Sequence, residues 1–494
     1  MTAQTVQQGD LVTVIGLEVH VQLETDTKIF CGCSTVPADG PNEHVCPVCL
    51  GLPGALPVLN EAAVESAVKI GKAIDANIPE ETRFHRKNYY YPDLPKNFQI
   101  TQYDEPICQD GELEISVDGE RRTVTIERAH LEEDPGSLQH VGGSIDSADY
   151  TLVDYNRAGT PLMEIVTAPD FRSPQEARAF LAELTEVLEY LGVFDASRDG
   201  SLRVDANLSI VEGTDVDETG EIGLAALEAA NRTEVKNISS HKGAEKALAY
   251  EETRQKNAVR RGREVEQETR HWDERRGITV SMRSKEAEKD YRYFREADLP
   301  PLRVSHWKDE IAIPELPTAR RDRFREDYGL NDEAASKLTS TKQVADFYED
   351  VASEFDPDLA ATWVADELLG ELNYRGMAIT DIEDRLEEVA TLVALVAGDE
   401  ITTKNAKEVV LRRMLDEGED PKAIVDREDL GKTGDDEVQA AVLEAIEENP
   451  EAVADVEAGD GGAINFLVGQ VMQKTGGSAD PGAVNELLRT ELEE

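Results

Sequence analysis

The 494-residue sequence predicts an α+β fold over residues 1–297, with mostly antiparallel strands, then an all-α domain at 298–397 and a small all-α tail at 398–494. Three observations carry this. Residues 11–23 alternate, with Thr13, Ile15, Leu17, Val19 and Val21 on one side and Gly16, Glu18, His20 and Gln22 on the other, the period of a half-buried strand. Helical segments with clear start signals interrupt further strand-like runs. Pro300, Pro301, Pro314 and Pro317 then mark a joint, beyond which strand signals fade.

After the first strand, Asn60 is a candidate cap for a helix. Runs at 113–117, 122–128, 151–154 and 163–167 read as strands. Ser173 is placed to cap a helix with Pro174 at its first position. Phe180, Leu181, Leu184, Leu188 and Leu191 form its apolar stripe, and Gly192 ends it. A strand follows at 202–210. Residues 251–295 are rich in cations: Arg254, Lys256, Arg260, Arg261, Arg263, Arg270, Arg275, Arg276 and Arg283. A glycine-rich break at 459–462 interrupts the tail. No internal repeat is visible.

Acidic residues number 102 and basic ones 51, a net charge of −51. Self-repulsion of that size opposes a compact state in dilute buffer. At molar salt the Debye length falls to roughly 3 Å and the repulsion is screened. The periodicity throughout indicates a folded, halophilic protein rather than a disordered one. No apolar run approaches the ~18 residues of a membrane span. The start, MTAQTVQQGD, lacks the basic flank and apolar stretch of a secretory leader. A cytoplasmic protein is expected.

Four of the five cysteines form Cys31-x-Cys33 and, after twelve residues, Cys46-x-x-Cys49. Two close pairs supply the four ligands of tetrahedral zinc, leaving no open position, so the expected role is structural. Four reduced core cysteines are the plainer alternative, but Gly32, Pro47 and Gly51 favour tight turns. Glu18 and His20 project from one strand face roughly 7 Å apart. They could grip one metal with help from elsewhere, although spacing alone favours a solvated face. His130-Leu131-Glu132-Glu133-Asp134-Pro135-Gly136 places adjacent carboxylates before a turn. Such oxygens suit Mg²⁺, yet locally an exposed acidic turn explains them better. The run from Arg83 to Lys96 interleaves cations with Phe84, Tyr89, Tyr90 and Tyr91, as phosphate or RNA contacts require. Gly431-Lys432-Thr433 looks like the end of a phosphate-binding loop, but Asp426 stands where its first glycine belongs.

Over nearly its whole length the sequence resembles the B subunit of the aspartyl-tRNA(Asn)/glutamyl-tRNA(Gln) amidotransferase family. The segments are VIGLEVHVQL, RKNYYYPDLPKNFQITQYDEPI, HLEEDPG, LVDYNRAGTPLMEIVTAPD, SLRVDAN, QETRHWDE, MRSKEAEKDYRYFREADLPPL, IPELP and NFLVGQVMQKTGG. The resemblance implies a cradle-shaped domain that uses ATP and Mg²⁺ to phosphorylate the side-chain carboxylate of Asp or Glu on a mischarged tRNA. Ammonia from a separate amidase (glutaminase) A subunit then displaces the phosphate. A small C subunit completes a heterotrimer, and the helical and tail domains hold the tRNA. It also implies roles for Glu18 and His20 as a metal-binding pair, joined by Glu133 and Glu132. Glu164 and Asp205 fall where the family has further polar active-site groups. Arg86, Lys87 and Tyr89 become candidate ATP or acceptor contacts. There are departures. Ser137 stands where a lysine is common, Val204 replaces a cysteine, and Lys289 and Arg295 replace the usual His and Pro. A non-catalytic, zinc-containing RNA-binding protein is the rival reading. A glutaminase would need an activated nucleophile, and none is visible.

Overall fold

The computed structural model describes residues 10–142, 148–198, 200–216, 222–282, 291–432, 435–457, 461–476 and 479–493. Arg283, Lys289 and residues 459 and 460 of the glycine-rich break therefore lie outside the described residues. The chain forms two compact units, Met1–Leu316 and Pro317–Glu494.

The first unit contains, in order, β1 (Leu11–Gln22), α1 (Glu61–Ala73), β2 (Glu81–Thr82), β3 (His85–Asn88), β4 (Phe98–Thr101), β5 (Cys108–Val117) and β6 (Glu120–Glu133). Then come β7 (Ser137–Val141), β8 (Tyr150–Asp154), β9 (Pro161–Thr167), α2 (Pro174–Tyr190), β10 (Leu202–Glu212), α3 (Leu224–Ala229), β11 (Thr233–Ile238) and α4 (His241–Arg260). The last strands are β12 (Glu268–Asp273), β13 (Ile278–Ser281), β14 (Phe294–Arg295) and β15 (Leu302–Arg303). One eleven-stranded sheet runs β13-β12-β11-β10-β1-β9-β6-β4-β3-β14, with β5 on β6. Its pairings are antiparallel except β11 with β12. β7 and β8 form a separate hairpin, and β15 pairs with β2.

Local chemistry places the helices as expected. Asn60 accepts a hydrogen bond from the Ala62 amide at 2.9 Å. Ser173 accepts one from the Glu176 amide at 3.2 Å, and Gly192 takes the left-handed conformation that ends the helix. Ile15, Leu17, Val19 and Val21 of β1 share one apolar core with Val64 and Val68 of α1, Phe180 and Leu184 of α2, and Ala247 and Leu248 of α4. The sheet thus buries one face under helices. Its other face is free to carry polar chemistry.

The acidic turn expected at 130–136 is instead strand through Glu133. His130, Leu131, Glu132 and Glu133 are each registered against β9, opposite Glu164, Met163, Leu162 and Pro161. β6 also carries a bulge. Ile126 faces Thr167 and Arg128 faces Val166, so Glu127 is one residue too many. Core residues on β6 are accordingly Val124 and Ile126 before the bulge, then Ala129 and Leu131 after it.

The cation-rich stretch is partly structural. Arg254 and Arg270 both bind the fully buried carboxylate of Glu251, and Lys256 pairs with Glu252.

Apart from one isolated bridge between Ile401 and Gly431, the described residues of the second unit are helical or in turns. Its apolar residues form two clusters. One runs from Phe324 through Val393 and Ile401 to Ile424, the other from Val438 to Leu488. The expected division at 398 falls inside the first of these. Val396 on one side and Ile401, Val410 and Leu411 on the other pack together, and this contact outweighs the local glycine.

The acid excess has a direct thermal consequence. On transfer from multimolar to ~0.1 M KCl the screening length lengthens to about 10 Å. The melting temperature should then fall by roughly 10 °C or more, a loss of a few kcal/mol. Calorimetry across a KCl series checks this, and a melting point that rose on dilution would contradict it.

Candidate functional site

The polar face of the sheet brings one row of side chains into register. Arg203 of β10 lies opposite His20 of β1, His20 opposite Glu164 of β9, and Glu164 opposite His130 of β6. Glu132 is two residues beyond His130 on the same face, and Thr101 of β4 lies opposite it. Side chains that alternate along each strand therefore converge across five strands.

The closest group is His20, Glu132 and Glu164, whose candidate donor atoms all lie within 4.8 Å of one another. His20 Nε2 is 3.4 Å from Glu164 and 3.7 Å from Glu132. His130 Nε2 approaches Glu164 from the other side at 3.6 Å. Burial and the charge of Glu164 push the Glu132 carboxyl up to about 7. Burial alone would lower His20, but Glu164 and Glu132 reverse this and raise it to about 9. For His130 burial outweighs the charge of Glu164 and lowers the imidazole to about 4. Burial opposes ionisation of Glu164, yet His130, His20 and Lys87 hold it well below the usual carboxylate range. Two carboxylates thus compete for neutralisation at one spot, a typical mark of a functional site.

Lys87 of β3 sits beside them. Burial disfavours its charge, but Glu132 and Glu164 override this and raise it above its ordinary value. Its Nζ lies 4.9 Å from the centre of the Tyr291 ring. Tyr89 meets the same ring edge-on and donates weakly to Gln99 at 3.5 Å.

The other expected residues stand apart from this group. Glu18 accepts a hydrogen bond from Asn207 at 3.0 Å, and burial, Glu164 and Asp205 raise its carboxyl. Asp205 is bound to Lys236 at 2.7 Å. Arg86 forms a bidentate pair with buried Glu296 at 2.6 and 2.7 Å and rests on the Phe98 ring. Glu133 points to the opposite side from Glu132. Lys96 holds it at 2.5 and 2.6 Å, and the Ile100 amide donates to it at 2.8 Å. Here strand parity separates two adjacent glutamates into two environments.

Sequence reasoning gave His130 and Arg203 no individual role, and took Lys96 and Asp134 only as members of the basic run and the acidic cluster. Asp134 is buried and accepts from Arg203 at 2.5 Å and from Gln22 at 2.8 Å. The signal for His130 was its two-residue offset from Glu132, which becomes informative once the segment is a strand.

Cys31, Cys33, Cys46 and Cys49 converge as a second group. A tight turn in which the Leu50 amide bonds to the Cys46 carbonyl aims Cys46 and Cys49 together, and the Cys46 amide donates to Cys49 Sγ at 3.0 Å. A hydrogen bond from Cys31, helped by nearby Lys28, brings the Cys49 thiol down to about 5 despite burial. Lys28 is itself buried and tied to the His44 carbonyl at 2.7 Å. Four convergent sulfurs fit a tetrahedral metal. Cys108 is buried elsewhere, against the Ala67 carbonyl.

Residues 13–309 match the GatB/GatE catalytic domain and residues 346–492 match the GatB domain. The sequence is 78% identical to the B subunit of the aspartyl/glutamyl-tRNA(Asn/Gln) amidotransferase of Natronomonas pharaonis, over 100% of both chains. It is 74% identical to the corresponding chain of Haloarcula marismortui, again over 100% of both. Against that of Methanospirillum hungatei it is 53% identical, over 98% of this chain and 99% of the other. With the matches spanning whole chains, the chain belongs to the GatB family.

Proposed function

We propose that this chain is the carboxylate-activating subunit of a tRNA-dependent amidotransferase, an ATP-dependent carbon–nitrogen ligase of protein synthesis. The observation that carries the reading is the His20–Glu132–Glu164 group with half-buried Lys87 beside it, on the open face of a GatB/GatE catalytic domain. The substrate would be Asp-tRNA(Asn), Glu-tRNA(Gln) or both. A side-chain carboxylate oxygen attacks the γ-phosphorus of ATP and ADP departs. Ammonia then attacks the acyl carbon, inorganic phosphate leaves, and a proton is lost from nitrogen.

The donor set fits a divalent cation. One imidazole and two carboxylates at 3.4–3.7 Å spacings suit ligands about 3 Å apart around an ion with bonds of about 2.1 Å. A Mg²⁺-like ion held by His20, Glu132 and Glu164, with Glu18 nearby, would offset charge on the transferring phosphoryl group. The chain's own groups do the rest. Lys87 offers a half-buried cation to phosphate oxygens. His130 is kept neutral and fixes Glu164. Arg203, anchored by Asp134, borders His20. Among the described residues there is no serine or cysteine nucleophile at this site, so ammonia must come from elsewhere. An amidase A subunit, a small C subunit and a cytoplasmic setting complete the proposal. Among the described residues no helix is long and apolar enough to cross a membrane.

The direct test is ATP turnover in high KCl with ammonium chloride, with and without mischarged tRNA. Turnover that depends on the mischarged tRNA supports the reading. RNA binding without turnover, even with partner subunits present, would favour the rival zinc-containing RNA-binding protein. Release of ammonia from glutamine by the isolated chain would overturn the assignment.

Two further outcomes concern metals. His20, raised to about 9, and Glu132, raised to about 7, must both lose protons to act as ligands. Metal binding at this site should therefore release protons and tighten as pH rises from ~6 to ~9. Calorimetric titration in buffers of different ionisation enthalpy measures the release, and pH-independent affinity would contradict it. Separately, the purified chain should carry about one zinc per molecule. Cys46→Ser should lose that zinc and lower the melting temperature, leaving metal binding at His20 intact. Native protein without zinc on elemental analysis would refute the structural role.

A further inference from the structure

A ladder of aromatic rings leads from the surface to Lys87. Tyr103, 54% exposed, stacks on Tyr293 with ring centres 4.0 Å apart and planes 6° from parallel. Tyr293 meets Tyr291 at 6.0 Å, Tyr291 meets Tyr89 at 5.9 Å, and Lys87 Nζ lies over Tyr291. His85 braces the outer end, edge-on to Tyr103 at 6.2 Å, and is itself bound to Asp104 at 2.9 Å.

The backbone is built to present these rings. Arg292 adopts the left-handed conformation at φ 46°, which is unfavourable for a side-chain-bearing residue. Asn88 holds it there. Its amide donates to the Tyr291 carbonyl at 2.9 Å, and its side chain donates to the Arg292 carbonyl at 2.8 Å. β14 then pairs with β3 through Phe294 and Arg295. Tyr291 and Tyr293 are thereby held against β3, and Tyr293 feels the charges of Lys87, Glu164 and Glu132. A parallel tyrosine pair that remains half open, at the end of a ring ladder leading to the half-buried cation Lys87, has the composition of a base-stacking surface.

We propose that Tyr103 and Tyr293 form a stacking platform for an adenine base, positioned so that the phosphate or ester attached to that base reaches Lys87 and the His20–Glu132–Glu164 group. This rests on the functional reading above. The same base chemistry is available from two reactants, the adenine of ATP and the 3′-terminal adenosine that carries the amino acid.

The test uses the full chain in molar KCl with its divalent cation. Four probes are titrated: ATP, inorganic tripolyphosphate, a charged-end RNA minihelix finishing in CCA, and the same minihelix lacking the last adenosine. Tyr103→Leu keeps bulk but removes the ring. It should weaken one or both adenine-bearing probes roughly 10- to 100-fold, the effect of losing one stacked base. Tripolyphosphate and the shortened minihelix should be unchanged. Tyr103→Phe should restore the binding, which a merely structural loss would not explain. Weakening of ATP alone assigns the platform to the nucleotide; weakening of the full minihelix alone assigns it to the acceptor end. If neither probe weakens, or tripolyphosphate weakens equally, the platform is wrong although the functional reading stands. If the wild-type chain binds neither ATP nor tripolyphosphate, the reading itself fails and the platform with it.

Discussion

Glu164→Gln should lower ATP-dependent amidation by roughly 10²–10³-fold while leaving tRNA binding nearly unchanged. The expected size is that of removing one preorganised electrostatic contact from a transition state. Glu164 is the residue on which the site turns, because His20 and His130 contact it from opposite sides. Glutamine preserves its volume but cannot neutralise His20 or serve as an anionic ligand. His20→Ala is the harsher companion and should lose metal as well as rate. Acyl-phosphate formation, measured separately from the tRNA dissociation constant, distinguishes a chemical defect from a binding one. Near-normal turnover by Glu164→Gln would return this row of side chains to ordinary sheet-surface polarity.

Lys96→Ala should cost about 3–5 kcal/mol of stability, the penalty for leaving a buried charge without its partner. Lys96 and Glu133 are 9% and 5% exposed as side chains, so water cannot take over. After truncation, Glu133 would keep only the Ile100 amide as its nearby donor. Replacing both residues, as in Lys96→Met with Glu133→Leu, should recover much of the loss because no orphaned charge remains. Chemical denaturation of the single and double variants measures the difference. A single variant within about 0.5 kcal/mol of wild type, the range of ordinary surface changes, would show that the pair is not a structural clamp.

These two residues also show how far the sequence could be read. β1, α1 and α2 were legible because each is specified locally, by alternation, by an Asn60 or Ser173 cap, and by an apolar stripe. The convergence of His20 with Glu164 was not. It depends on register between strands far apart in sequence, and no local pattern encodes it. Which of two neighbouring glutamates faces His20 was also hidden. Taken as a turn, the segment allowed both; taken as a strand, it allows one, and the structure selects Glu132. The four cysteines were the easiest group to read, since their spacing already brings the pairs close. That one apolar cluster spans residue 398 was not legible, because helices joined by a glycine look the same whether or not they share a core.

The bulge at Glu127 makes the site a matter of phase. Upstream of it, even-numbered residues of β6 face the core; downstream, odd-numbered ones do. The extra residue acts as a half-wave shift in a two-residue oscillation. Deleting Glu127 would give a regular ladder and leave both faces as they are, because the residue removed is the extra one. Keeping Glu127 within an unbroken ladder would instead send Leu131 and Glu133 outward and drive His130 and Glu132 toward the apolar layer. The polar face of this strand is therefore set by how one extra residue is accommodated as well as by the acidic residues themselves.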